Sequence, residues 1–342
     1  MAATSEANSL ESWFALAKQS SKGTAATAFF KALATVSRLG ATYDEREAPL
    51  EHPAVTTRAT ARKSNVKRTS YLAGAAVTGI LHPKFVVPLL LANGFQVVTT
   101  NNTTHYTHVC TLGSATNHKW MTAAWNVEAN DGAFVNRGKD MRGTSLNFSV
   151  SPDQIEYSGE FRGLTLEPMS GSPTYTSEAS AEIVPWLMTR TTMTMNATDI
   201  TERIRSMELA ITNTLREDDR AIGESERTAL PQQNIDISIA LGEINISAAL
   251  FNTFHYGASN GTSVVLNGVS GALDIKFASE NNISGAAVPY SMQVAIPSLG
   301  YTMDGEPEAN GDDLITLGLT AYMIDDVATP ITITVINDVS AY

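Results

Sequence analysis

The chain has a single cysteine, Cys110, which excludes an internal disulfide framework and fits a reducing compartment. It has no apolar run long enough to cross a bilayer, since the longest, residues 85–91, is short and contains Pro88. Residues 1–17 lack a basic stretch followed by an apolar core, so no secretory signal is expected. The Asn-x-Ser/Thr triplets at Asn102, Asn147, Asn196, Asn245 and Asn260 then read as composition rather than as glycosylation sites. Aromatic residues are sparse, and Trp13, Trp120, Trp125 and Trp186 are scattered, which disfavours a glycan-binding platform. Basic residues are scarce in the second part of the chain. Residues 1–180 hold 16 Lys/Arg against 14 Asp/Glu, whereas residues 181–342 hold 7 against 21. The net charge of −12 is therefore the sum of +2 in the first part and −14 in the second.

Catalytic patterns are also missing. There is no Gly-rich phosphate loop, no G-x-S-x-G elbow and no H-E-x-x-H. Carboxylate pairs such as Asp325-Asp326 adjoin in sequence instead of converging across a site. His105 and His108, with Cys110 nearby, form the best metal candidate. Their odd spacing puts the two histidines on opposite faces of a strand, and no second cluster completes a tetrahedral set. Asp304, Glu306, Glu308, Asp312 and Asp313 crowd one loop without EF-hand spacing, so a solvated acidic loop is the default. No enzyme, metal or cofactor is expected. The basic stretch from Arg58 to Arg68 lacks interleaved aromatics, and the acidic balance of the chain argues against general nucleic-acid binding.

What the chain does have is alternation. Ile235, Ile237, Ile239 and Leu241 interleave with Asp236, Ser238 and Ala240, within a stretch read as a strand over residues 234–250. A period of two marks a half-buried strand, because successive side chains leave a sheet on opposite sides. The rhythm recurs at Met207/Leu209/Ile211, Leu273/Ile275/Phe277, Met292/Val294/Ile296 and Ile331/Ile333/Val335. Strands are also expected at 105–112 and 119–127, and a hairpin at 145–150 and 154–161 turns about Ser151-Pro152-Asp153.

Near-helical spacing at 11–18 and 24–39 predicts short helices, or an arm that orders on a partner. Residues 83–94 read as a helix closed by Gly94. Residues 41–70 and 212–233 are long polar segments, expected as functional loops. The linker-like run 170–174 places a domain boundary, giving an arm at 1–24 and modules at 25–175 and 176–342. Residues 145–150 and 154–161 are echoed by 206–211 and 234–243 with a longer intervening loop, as a duplicated β module would produce.

This order of features resembles the major tail tube proteins of long-tailed, siphovirus-type bacteriophages. The likeness rests on Ser21-Lys22-Gly23-Thr24, the polar loop with Arg58 and Arg62, Tyr71-Leu72-Ala73-Gly74, and the Leu89-Leu90-Leu91 run before Gly94. It continues through His108, residues 138–148, 206–212, the charged loop, 235–250, Ala295-Ile296-Pro297, 315–326 and 331–337. The resemblance implies a mainly β chain of two tandem sandwich or barrel modules with short helices, stacking as rings into a hollow tube. The two-module form implies trimeric rings of pseudo-sixfold symmetry, in a virion assembled in the host cytoplasm. It implies contact with itself, with a tape measure protein and other tail proteins, and passage of double-stranded DNA without specific binding. No membrane partner is implied.

On that reading Glu45, Arg46, Arg58, Arg62, Lys63, Arg68, Glu217, Asp218, Asp219 and Arg220 are the candidate contacts between rings, their mixed charges fixing register. Asp236, Glu243 and Asp274 are candidate carboxylates of the bore, where an acidic wall would repel phosphates that a basic wall would hold. The rival expectation is a capsid decoration protein, or a fibre or receptor-binding β protein.

Overall fold

The computed structural model describes residues 7–47, 66–114, 118–129, 134–169, 174–176, 187–196, 198–201, 204–219, 222, 227–245, 248–263, 269–303, 316–325 and 328–342. The chain is mainly β, with eighteen strands and two short helices among these residues. The first half carries β1 (Ala7–Lys18), β2 (Ala28–Lys31), β3 (Leu33–Glu47), β4 (Val66–Ile80), α1 (Val86–Ala92), β5 (Phe95–Asn101), β6 (Tyr106–Leu112), β7 (Met121–Ala129), β8 (Phe134–Val150) and β9 (Ile155–Pro168). The second carries β10 (Thr174–Thr176), β11 (Leu187–Met195), β12 (Thr198–Asp199), β13 (Ser206–Leu215), β14 (Gln232–Asn245), α2 (Ala248–Tyr256), β15 (Val269–Asn282), β16 (Pro289–Met303), β17 (Thr316–Met323) and β18 (Thr332–Asn337).

All described ladders are antiparallel except β10 with β2, and together they join every strand into one sheet. Within it one pairing order occurs twice. In the first half the neighbours run β1-β7-β8-β9-β4-β3. In the second they run β11-β15-β16-β17-β14-β13. Each order has the same chain sequence behind it: an outer strand, a hairpin with a long polar connection, a helix, then three strands. The β5–β6 hairpin and β18 stand outside the repeated order, and they pair with each other. The halves are further joined where β13 pairs with β8. The two echoed segments are thus direct neighbours in the sheet, with Leu146 opposite Ile211 and Phe148 opposite Leu209.

One continuous core links the halves. Tyr157, Phe148, Leu209, Ile239, Ala321 and Tyr301 lie in successive ladders along one inward row, and all are buried. Helix α1 is buried along its whole length and packs on β1, β5 and β8. Its end is closed by Asn93, whose amide nitrogen donates to Leu89 O at 2.9 Å, and by Gly94 at φ +93°. Pro83 lies just ahead of the first helical turn.

Three sequence expectations need correction. Residues 11–18 and most of 28–39 are strands, not helices or a loose arm. Over residues 13–17 strand β1 is buried on both faces: Phe14 and Leu16 join the main core, while Trp13, Ala15 and Ala17 enter a second cluster with Phe29. A strand with two apolar faces has no polar alternation to reveal it. The segment 41–70 begins and ends as ladder, with Thr42 opposite Leu72 and Arg46 opposite Lys67. The small residues of this ladder, including Gly40, Ala41, Ala73 and Gly74, supply little apolar contrast between faces. The strand expected over 234–250 ends at Asn245, and α2 follows.

Candidate functional site

Residues directly opposite one another in a ladder project from the same face of the sheet. Following the ladders outward therefore defines whole rows of neighbours. One row runs Arg38–Ala76–Glu160–Ser145–Thr212–Asp236 across six strands. The next runs Val36–Thr78–Ser158–Asn147–Ala210–Ser238–Tyr322–Gly300–Ser270 across nine. A third runs Leu33–Ile80–Glu156–Ser149–Glu208–Ala240–Thr320–Thr302. None of these residues is buried. They form one broad, solvent-facing surface that crosses from the first half to the second without a break.

Its chemistry is uniform. Most positions are Ser, Thr, Asn, Ala or Gly, and the charges are Glu156, Glu160, Glu208 and Asp236 against Arg38. The Arg38–Glu160 pair is 4.0 Å apart and largely exposed, so it contributes little to stability. Asn147 donates to Glu208 across the β8–β13 ladder, and Gln154 donates to Glu156 at 2.6 Å. A short-chained, mildly acidic surface offers a polyanion little to bind.

Of the expected bore carboxylates, Asp236 stands in this surface and is exposed. Glu243 is on β14 at a position whose side chain is outside the described residues. Asp274 is on β15, opposite Ala295 and Thr194, where it accepts from Gln293 at 2.7 Å. The ladders do not bring it into the row of Asp236. The spacing of single strands did not mark Glu156, Glu160 and Glu208 as companions; only the pairing of the two hairpins aligns them.

Among the expected ring contacts, Glu45 lies opposite Arg68 and Arg46 opposite Lys67 at the far end of the β3–β4 ladder. Arg58, Arg62, Lys63 and Arg220 lie outside the described residues. At the foot of the β13–β14 connection Glu217 accepts from Arg162 at 3.2 Å, and Asp218 from Arg216 at 2.7 Å. Asp219 accepts from the Thr228 hydroxyl at 3.0 Å, tying the two sides of the connection together.

That connection is also seated by the first half. The Arg142 guanidinium lies 3.9 Å from the Trp120 ring centre and donates to Leu230 O at 2.6 Å and His118 O at 3.2 Å. Lys22 Nζ lies 5.6 Å from the Trp120 ring centre and donates to Thr228 O. Burial draws the Arg142 side chain down to about 10, which leaves it charged at neutral pH. Leu230 is fully buried beside Leu72, Leu164 and Leu215.

The His105/His108/Cys110 group resolves into structural roles. His105 sits in the turn before β6, and His108 is buried between the Thr99 hydroxyl and Asn337 Oδ1, each at 2.9 Å. Cys110 is buried, which pushes its thiol up to about 12. Among the described residues no three His, Cys, Asp or Glu gather as a metal site would require. The acidic loop 304–313 lies outside the described residues. Also among them, no helix is long and apolar enough to cross a membrane. The sequence matches no protein-family model, and it matches no curated protein.

Proposed function

We propose that this chain is the self-assembling subunit of a hollow tube of the bacteriophage tail type, with two tandem modules per chain and three chains per ring. The observation that carries the reading is the pairing order that occurs twice, once in each half. A chain whose halves share one strand order, joined edge to edge by β8 and β13, is a segment of a ring already two modules long. Repeating that junction between chains continues the polar surface around a closed circle. That surface is the candidate wall of the bore, and its scarcity of long cationic side chains suits the passage of DNA rather than its capture. On the same reading the polar segments 41–70 and 212–233 carry the contacts to the neighbouring ring, and a tape measure protein and other tail proteins are further partners.

Negative-stain electron microscopy of the purified protein, with its mass in solution, tests the proposal. Hollow tubes, or three-chain rings of sixfold appearance, are expected on concentration or warming. A chain that stays single under every such condition would instead favour a decoration or receptor-binding protein.

A further inference from the structure

We infer that the outer edge of β3 joins one copy of this chain to the next, and that residues 269–271 cap the edge of β16 where it joins. The inference rests on the ring-forming reading and specifies its junction.

The junction within the chain is the template. Strand β8 has β9 along one edge, and its residues 145–150 carry β13 residues 207–212 on the other. In the repeated order β16 takes the place of β8, and β3 takes the place of β13. Among the described residues β3 pairs with β4 alone, so a long edge is left to a partner. The place for it on β16 is occupied. Residues 299–301 of β16 have β17 residues 321–323 on one edge and β15 residues 269–271 on the other. A register shift between Gly271 and Leu273 separates this short extension from the rest of β15. It also runs past the pairing of β15 with β11, which ends at Leu273 opposite Met195. Among the described residues the first half has no such cap: β7 begins at Met121, opposite Met141, and leaves residues 145–150 of β8 to β13.

The side chains agree with the substitution. In the middle row Val36 stands opposite Thr78 as Ala210 stands opposite Ser238. Ala210 faces Asn147 of β8, and the corresponding residue of β16, which Ser270 of the cap now faces, is Gly300. The incoming Val36 therefore lies over Gly300, beside Tyr322. Val36 is 66% exposed and Tyr322 51% exposed, and these are the two large hydrophobic side chains left uncovered in this row. Joining covers both, and a missing side chain at Gly300 leaves the room. The occupant is a second copy of this chain, added as a strand. The cap holds the subunit closed until a β3 edge, offering a longer ladder than three residues, displaces it.

A pair of cysteines tests this. Ser270→Cys with Gly300→Cys staples the cap across directly opposite positions, and a Cβ at Gly300 meets Ile324 no closer than 3.4 Å. Cys110 is buried and stays out of the chemistry. Sedimentation of the oxidised variant should give single chains, and reduction should restore assembly to the rate of the singly substituted Gly300→Cys chain. Val36→Lys should keep the wild-type melting temperature and lose assembly in either redox state. Oxidised staple that assembles as fast as reduced, or Val36→Lys that assembles like wild type, overturns the junction while leaving the ring reading intact. Wild-type chain that never assembles overturns both.

Discussion

At the scale of single residues the buried histidines set a pH limit on the fold. His82 donates from Nε2 to Lys31 O at 3.0 Å and stacks on Phe85, with Lys84 as its charged neighbour. His118 donates from Nε2 to Ala92 O at 2.7 Å and lies beside Arg142. Burial holds both down to about 4, because the charged imidazolium loses its hydration there. The folded state therefore prefers the neutral ring, while the unfolded chain takes up protons near the ordinary value. The stability tied to each ring is fully present above about pH 6.5 and is lost as pH falls towards 4, on the order of 3 kcal/mol per histidine. Melting temperature followed from pH 7.5 to 4 should drop across that window, and His118→Gln should make the drop shallower. A flat profile would contradict the assignment. Arg142 offers a second test at this scale. Arg142→Leu orphans two buried carbonyl groups, Leu230 O and His118 O, and should cost roughly 2–4 kcal/mol in urea unfolding.

At the scale of elements, legibility in the sequence followed burial. Strand β13 alternates between exposed and buried at nearly every step, and β15, β16 and β18 show the same contrast over their cores. Those strands were readable because one face meets water and the other meets the core. Strand β1 was not, since both faces are covered, and the distal part of β3 was not, since its small residues favour neither face. The echo between 145–150 and 206–211 was visible as pattern, whereas their direct pairing depends on contacts distant in sequence. For the same reason Asp236 could be named from its own strand, but the row that gives it neighbours could not. Leu209 sits at the centre of the inward row, between Phe148 and Ile239. Leu209→Ala should therefore destabilise the whole chain by about 2–5 kcal/mol, in one unfolding transition. Two separate transitions would show that the halves fold independently of the β8–β13 ladder.

At the scale of the molecule the uneven charge acquires a place. The second half carries most of the acidic surplus, yet the polar surface draws carboxylates from both halves, Glu156 and Glu160 from β9 with Glu208 and Asp236 from β13 and β14. On the proposed ring, acidic side chains from both halves would then face the bore. The most direct measurement is a cryo-electron microscopy map of the assembled protein, asking which face of the sheet lines the channel. Glu156, Glu160, Glu208 and Asp236 should stand on the channel wall, in rows that continue from one chain into the next. A channel lined by another face, or one whose wall is basic or neutral, would contradict it.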